Sequence, residues 1–174
     1  MIVACDASSP AALPSVSDTN ALKPFSTPAE TLAQLYRDKI FFHARNRLTQ
    51  PMIRHLSAYF TPELKKHLEH HHKDVELWLI KNKDSDLKLP VSAGPIFLSN
   101  YEGADSFLIG DPSIRDKLAE VKIAFTLKDA MGVLEWENTA LLKRVGDVWL
   151  LDDIVFESDN GEAYTLRDRV KLVQ

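Results

Sequence analysis

The chain has 174 residues, of which 45% are hydrophobic, so its length and composition suit one domain with a sizeable core. Its 25 acidic and 21 basic residues give a formal net charge of −4 at pH 7. This balance disfavours nucleic-acid binding, which requires basic surfaces. No apolar run approaches the roughly 18–20 residues needed to span a bilayer, so we expect a chain that is soluble or lipid-anchored.

The chain's only cysteine, Cys5, follows Ile2, Val3 and Ala4. This order resembles the box at which bacterial lipoprotein signals are cut, which would make Cys5 a lipid-attachment site. A complete signal also needs a basic start and an apolar run of about 7–15 residues, but only Met1 precedes the box. We therefore expect that the start of the signal peptide is missing, through a late start codon or trimming. The alternative is a lone cysteine in a loose cytoplasmic tail.

Residues 6–26 are rich in Ser, Pro and Ala and lack both helical and alternating apolar periods. Such a segment buries too little apolar surface to offset the entropy cost of ordering, which predicts a flexible tether. We therefore divide the chain into residues 1–26, a residual lipoprotein box with a tether, and residues 27–174, one α+β domain.

Three helices are predicted at the start of this domain. The first begins with the capping signal Thr27-Pro28-Ala29-Glu30 and extends to about residue 47. The second covers residues 51–59, and the third follows Thr61-Pro62-Glu63 and extends to about residue 80. Apolar residues at spacings of three and four predict the buried faces. These are Leu32, Leu35, Tyr36, Ile40 and His43 on the first helix, and Leu64, Leu68, Val75, Trp78 and Leu79 on the third.

Strands are predicted in the second half of the domain. Residues 81–116 are punctuated by Pro and Gly and should be irregular, with one short strand at 106–109. From Val121 apolar and polar residues alternate, which predicts a half-buried strand. Residues 133–144 and 148–156 predict two more strands in an antiparallel meander, and residues 164–173 predict a closing helix with Leu166, Val170 and Val173 inward. The fold class is therefore α+β, with N-terminal helices packed on an antiparallel sheet and a short C-terminal helix.

A two-residue turn at Gly146-Asp147 would fix the pairing of the last two strands. The predicted pairs are Arg144–Trp149, Leu142–Leu151 and Ala140–Asp153. Both sheet faces are then largely apolar, so a loop, tail or second subunit should cover the face that the helices leave open. We expect an envelope protein partner or a homodimer there. One face would carry Trp136, Asn138, Ala140, Leu142, Trp149, Leu151, Asp153 and Val155, and the outer face Leu141, Val148, Leu150, Asp152, Ile154 and Phe156.

The order of elements resembles the cone-shaped nuclear-transport-factor-2-like fold, in which helices pack on a curved antiparallel sheet. Three phrases resemble, more specifically, small bacterial envelope lipoproteins of the YbjP-like type. They are Pro-Ala-Glu-Thr-Leu-Ala-Gln-Leu-Tyr at 28–36, Val-Trp-Leu-Leu-Asp-Asp-Ile at 148–154 and Thr-Leu-Arg at 165–167. The resemblance covers about residues 27–174 and implies a lipid-anchored protein on the periplasmic side of the envelope. It implies no catalytic residues and no cofactor.

Histidines on the third helix are candidate metal ligands. Glu63, His67 and His71 lie at successive helical turns and could share one face. Zinc usually has three or four ligands supported by further hydrogen bonds, and no ligand outside this helix is evident. We therefore favour a structural interpretation with no metal, in which His71 is half-buried and hydrogen-bonded.

The hollow of a cone-shaped fold offers a second candidate site. Asp153 would be the base there and Tyr36 the proton donor, with His43 on the same helical stripe. The alternative that we favour has Asp153 and Asn138 hydrogen-bonded to each other or to backbone amides. Asp152 should not join Asp153 on one atom, because neighbouring strand residues point to opposite faces.

The sequence thus favours a non-enzymatic, lipid-anchored periplasmic protein that binds a protein partner or a small ligand. One alternative is a small periplasmic enzyme of the isomerase or dehydratase type, and another is an immunity or inhibitor protein. An enzyme should have a closed hollow of about 300 Å³ with Asp153 and Tyr36 aimed into it. A binding protein should have a filled hollow and an exposed apolar patch.

Overall fold

The computed structural model describes residues 26–37, 48–85, 95–100, 102–157 and 161–171. Four helices lie in these ranges: α1 Pro28–Arg37, α2 Gln50–Leu56 with a 3-10 turn at Ser57–Tyr59, α3 Pro62–Lys81 and α4 Leu166–Arg169. The strands are β1 Ser106–Ile109, β2 Ser113–Arg115, β3 Leu118–Asp129, β4 Gly132–Val145, β5 Val148–Glu157 and β6 Ala163–Thr165. The fold is α+β with a short C-terminal helix, as predicted.

The six described strands form one open antiparallel sheet in the order β1-β3-β4-β5-β6, with β2 paired beside β1 on β3. The meander of β3, β4 and β5 and the short strand β1 confirm the predictions. Gly146, in the turn between β4 and β5, has φ +60°, a left-handed conformation that glycine adopts without strain. Strands β2 and β6 were not predicted, because three residues are too few to show an alternating pattern.

The hydroxyls of two threonines cap helices α1 and α3 at the positions that the sequence predicts. Thr27 Oγ1 accepts a hydrogen bond from the Glu30 amide at 3.3 Å, and Thr61 Oγ1 accepts one from the Leu64 amide at 3.2 Å. Each bond satisfies an amide that has no partner within its own helix. The described part of α1 ends at Arg37, so its predicted extension lies outside the described residues.

The helices cover one face of the sheet, which we call the inner face. Its central residues on β3 and β4 are fully or almost fully buried, and they share one hydrophobic core with the helices. The predicted stripe of α1 is confirmed for its described residues, while Trp78 and Leu79 of α3 are only half-buried. The core includes Leu32, Leu35 and Tyr36 of α1, Leu64 and Leu68 of α3, Val121, Ile123 and Phe125 of β3, and Ala140 and Leu142 of β4.

Some predictions fall on residues that the structure does not describe. These are the lipid-attachment site Cys5, the tether up to residue 25, the stripe residues Ile40 and His43, and the helix residue Val173. They stay predictions.

Strand β5 departs from the predicted register at Asp152. The pairs formed by Trp149 and Leu151 are the predicted ones, but Ala140 lies opposite Ile154 and not opposite Asp153. The shift falls between positions 141 and 142 of β4 and leaves Asp152 as one extra residue on β5. This is a β-bulge, and the predicted third pair is wrong.

The bulge exchanges the two faces of the rest of β5, because successive strand residues point to opposite sides. Ile154 and Phe156 were predicted on the outer face, but they have no exposed surface and belong to the core. Asp153 and Val155 lie on the outer face instead. The outer face of β4 and β5 thus loses Ile154 and Phe156 from the apolar set expected for a homodimer or partner surface and gains Val155, which lies there with Leu141, Val148 and Leu150.

Two alanine substitutions distinguish the observed register from the predicted one. Ile154→Ala should lower the free energy of unfolding by about 3–4 kcal/mol, because it opens a cavity in the core. Val155→Ala, on the half-buried outer side, should cost about 1 kcal/mol. Urea unfolding measures both values. A larger loss for Val155→Ala than for Ile154→Ala would contradict the bulge.

Candidate functional site

The Asp152 carboxylate joins the elements around the bulge. It accepts a hydrogen bond from Thr61 Oγ1 at 2.8 Å and lies 2.9 Å from Lys143 Nζ and 2.7 Å from Arg167 Nη2. Thr61 is the N-cap of α3, Lys143 lies on β4 and Arg167 lies on α4. Burial favours a raised pKa for Asp152, but the hydrogen bonds from Lys143 and Thr61 and the charge of Arg167 outweigh it and hold the pKa below its usual value. The carboxylate is therefore ionised and structural.

Asp153, the predicted catalytic base, also has a structural role. Its Oδ1 accepts hydrogen bonds from the backbone amides of Ile154 at 2.9 Å and Arg167 at 3.2 Å. Its Oδ2 lies 3.6 Å from Arg167 Nε. The bulge thus brings Asp152 and Asp153 to the same guanidinium group, which simple strand alternation did not predict. The favoured interpretation that Asp153 accepts hydrogen bonds from backbone amides is confirmed, although Asn138 is not its partner.

Tyr36, the predicted proton donor, lies on the other side of the sheet from Asp153. Its hydroxyl donates to the Phe97 carbonyl at 3.3 Å, and its ring centroid lies 5.8 Å from that of Phe107 and 5.4 Å from that of Phe125. Burial raises the pKa of this hydroxyl far above its usual value, so it stays protonated. The structure therefore does not bring Asp153 and Tyr36 together, and His43 lies outside the described residues.

The predicted metal ligands on α3 also point to different surroundings. Glu63 and His67 are exposed, whereas His71 is buried and its Nδ1–H donates to the Val170 carbonyl at 2.9 Å. The predicted hydrogen-bonded histidine is thus confirmed. Across the described ranges, no group of three or more His, Cys, Asp and Glu side chains could hold a metal ion. His67 instead lines an open groove of about 680 Å³ with Gln50, Lys66, Glu69, His70 and Lys73.

Two unsatisfied hydrogen-bond donors lie on the inner face of β4, where the sequence indicated no ligand. Asn138 is 2% exposed, and its Oδ1 accepts from Ser99 Oγ at 3.0 Å. Its Nδ2 is buried without a hydrogen-bond partner in the described part of the chain. Trp136 precedes it by two residues on the same face and stacks on Phe125 at 5.5 Å between centroids. Trp136 Nε1 is likewise buried without an acceptor there.

The inner face around these two buried donors becomes open to solvent toward the β3–β4 hairpin. Along β4, Leu134 is 51% exposed, Trp136 is half-buried and Asn138 is almost fully buried. On the paired strand β3, Leu127 lies opposite Leu134 and is half-buried like Trp136. We call Leu127, Leu134, Trp136 and Asn138 the inner-face opening. A buried donor without an acceptor costs about 1–3 kcal/mol, so a ligand oxygen that reached these nitrogens, once the side chains over them had moved, would bind favourably.

The sequence carried a partial signal for this site. In the sequence, Asn138 is a polar residue on a largely apolar predicted strand face, and Trp136 lies on the same predicted face. Their missing acceptors depend on the position of Ser99 and its neighbours in the irregular stretch, which no local pattern predicts.

Comparison of the chain with protein-family models, curated proteins and solved structures gives no match. The resemblance to YbjP-like lipoproteins and to the nuclear-transport-factor-2-like fold therefore stays a prediction. None of the helices in the described ranges is both long and apolar enough to cross a membrane.

His71 should make the stability of the fold depend on pH. Burial lowers its pKa, against smaller raising effects of the Val170 carbonyl and Asp74. The unfolded chain therefore binds this proton more readily than the folded one below about pH 6.5, and the free energy of unfolding falls as the pH falls. His71→Asn keeps a donor for the Val170 carbonyl but cannot take up this proton. Urea unfolding should therefore show a smaller fall in the free energy of unfolding for the variant than for the wild type between about pH 7.5 and about pH 5.5.

The control for this measurement is His67→Asn, which changes an exposed histidine on the same helix and should behave like the wild type. An unchanged pH dependence in His71→Asn would contradict the role of His71.

Asp152→Asn should lower the free energy of unfolding by about 2 kcal/mol, because Lys143 and Arg167 lose their shared counter-ion. Their side chains are 43% and 26% exposed, so solvent screening keeps the loss below that of a fully buried pair. The pKa of the Asp152 carboxyl is lower in the folded protein than in the unfolded chain. Its stabilising effect is therefore fully present above the unfolded pKa of about 3.9 and is lost as the pH falls through the folded pKa. The difference between wild type and variant should therefore shrink below about pH 4.

Asp147→Asn serves as the matched control, since this exposed carboxylate lies 3.9 Å from Arg144 and should leave the urea midpoint unchanged. Equal effects of the Asp152 and Asp147 substitutions would show that the Asp152 contacts do not stabilise the fold.

Proposed function

We propose that this protein is a non-catalytic binding protein of the bacterial cell envelope, held on the periplasmic side of a membrane by lipid on Cys5. The observation that carries the binding role is the pair of unsatisfied donors, Asn138 Nδ2 and Trp136 Nε1, at the inner-face opening. The residues around Cys5 support the location. The proposed relatives are the YbjP-like lipoproteins, and the proposed fold is the cone-shaped nuclear-transport-factor-2-like one.

The arrangement of titratable groups supports binding over acid–base catalysis. A general acid and a general base must both come within hydrogen-bond reach of the reacting atoms, about 2.6–3.2 Å. Tyr36 lies under the helices on the inner face, whereas Asp153 lies on the outer face and accepts bonds from two backbone amides. An isomerase or dehydratase that uses these two groups would need a rearranged sheet, so we favour a role in binding.

The end of the β3–β4 hairpin supports a second candidate, binding of a protein partner, which includes the immunity or inhibitor role. Met131 is 94% exposed and Val133 62% exposed, next to Leu134. Asp129 Oδ1 accepts from the amides of Met131 at 2.7 Å and Gly132 at 3.0 Å, which holds the turn in one shape. A fixed apolar tip of this kind suits an apolar pocket on a partner. It is a better partner surface than the outer face of β5, because Ile154 and Phe156 are in the core.

Cys5→Ser tests the proposed anchor. When the chain is expressed in a bacterium with a signal peptide ahead of Ile2, the wild type should incorporate labelled palmitate and sediment with membranes until detergent is added. The Cys5→Ser variant should incorporate no palmitate, and its domain should keep the melting temperature of the unlipidated protein.

A matched control is Ser8→Ala, three residues beyond the box, which should stay with the membranes. A Cys5→Ser protein that still incorporates palmitate, or a wild type without incorporated palmitate, would refute the lipid anchor.

A further inference from the structure

We propose that the inner-face opening binds a small apolar molecule carrying a neutral carbonyl oxygen, such as an amide, ester or ketone. The oxygen would accept from Asn138 Nδ2 and Trp136 Nε1, and the apolar body would lie along Leu127, Leu134 and the Trp136 ring. This inference rests on the proposed binding function and names its ligand class.

The hydrogen-bonding capacity of the two nitrogens determines which ligand atom they can bind. Ser99 Oγ donates to Asn138 Oδ1, so the Asn138 amide presents its nitrogen to the remaining side. An amide nitrogen and an indole nitrogen can donate but cannot accept. The chemical group that complements both is therefore an acceptor oxygen, and a ligand that offers only donors would leave both nitrogens unsatisfied.

The surroundings of the two donors favour an oxygen without charge. Asn138 and Trp136 are neutral, and neither has a hydrogen bond to a charged side chain within the described ranges. The two arginines of α4 are engaged elsewhere, Arg167 with Asp152 and Arg169 with the carbonyls of Ile96 and Leu98. A buried carboxylate without a cation is strongly disfavoured, whereas a neutral carbonyl needs only donors. The site should therefore select neutral oxygen over a carboxylate.

The change in exposure along β4 indicates where the apolar part of the ligand would lie. Leu134 and Asn138 are four residues apart on one strand, or about 14 Å. Exposure decreases along this path from 51% at Leu134 to 2% at Asn138. A molecule with its carbonyl at Asn138 and an unbranched tail of about seven carbons would thus cover Trp136, about 7 Å along the strand, and extend toward Leu134. Its burial would also remove apolar surface of Leu127 and Leu134 from water.

Octanamide is a suitable probe, because it combines a neutral carbonyl with an apolar tail. The proposal predicts that titration of the nitrogen-15-labelled protein will shift the Asn138 side-chain amide and the Trp136 indole signal to saturation. The chain has three tryptophans, so Trp136→Phe assigns its indole. The indoles of Trp78 and Trp149 should not move. Octanoate, with the same tail and a charge, should bind at least about ten-fold more weakly.

Two variants test the donors without removing the packing. Trp136→Phe keeps a ring that can stack on Phe125 and should weaken octanamide binding about five- to ten-fold. Asn138→Asp keeps the acceptor for Ser99 Oγ but removes both amide hydrogens, and it should abolish saturable binding. Trp78→Phe, the same substitution on half-buried α3 surface, should bind like the wild type.

The outcomes separate this inference from the proposed function. No saturable shift at either donor, equal affinity for octanoate, or unchanged binding by Trp136→Phe would overturn the ligand class. Shifts confined to the Met131 tip would overturn it too and favour the protein-partner role. Conversion of octanamide to octanoate during the titration would refute a non-catalytic function while supporting the site. The palmitate-labelling test of the lipid anchor at Cys5 does not depend on any of these results.

Discussion

The inserted residue Asp152 is the constraint on which the rest of the sheet depends. Its carboxylate is bonded at once to the N-cap Thr61, to Lys143 on β4 and to Arg167 on α4, so the bulge is fixed from three sides. A buried carboxylate of this kind is favourable only with such partners. Because a strand alternates strictly, this single extra residue decides which side chains of β5 enter the core.

The bulge also determines the chemistry of the inner face. Without it, Asp153 would lie opposite Ala140 on the inner face, on the strand next to Asn138. With it, Ile154 takes that place, and Asp153 turns to the other face and accepts bonds at the start of α4. Among the described residues, the inner face near the opening then contains neutral donors in apolar surroundings, which suits the proposed binding of an uncharged acceptor.

The fold class, the helix starts at Thr27 and Thr61 and the meander could be predicted, because caps, periods and turn residues are local signals. The bulge could not, because Asp152-Asp153 in an apolar strand gives no sign that both carboxylates meet Arg167, which lies 15 residues after Asp152. For the same reason, the sequence could not show that Asp153 and Tyr36 lie on opposite sides of the sheet. The orphaned donors of Asn138 and Trp136 were also beyond prediction, since a missing acceptor is a property of the packed structure.

The most direct test of this account is a set of proton–proton distances across β4 and β5 from nuclear Overhauser spectra. Directly opposite residues on adjacent strands have Cβ atoms about 4.5–5.5 Å apart, close enough for a strong signal between side chains. The account predicts a strong signal between the methyl groups of Ala140 and Ile154, and signals from Ile154 to core residues. A strong signal between Ala140 and the Asp153 methylene, with Ile154 exposed to solvent, would contradict the bulge and the inner face built on it.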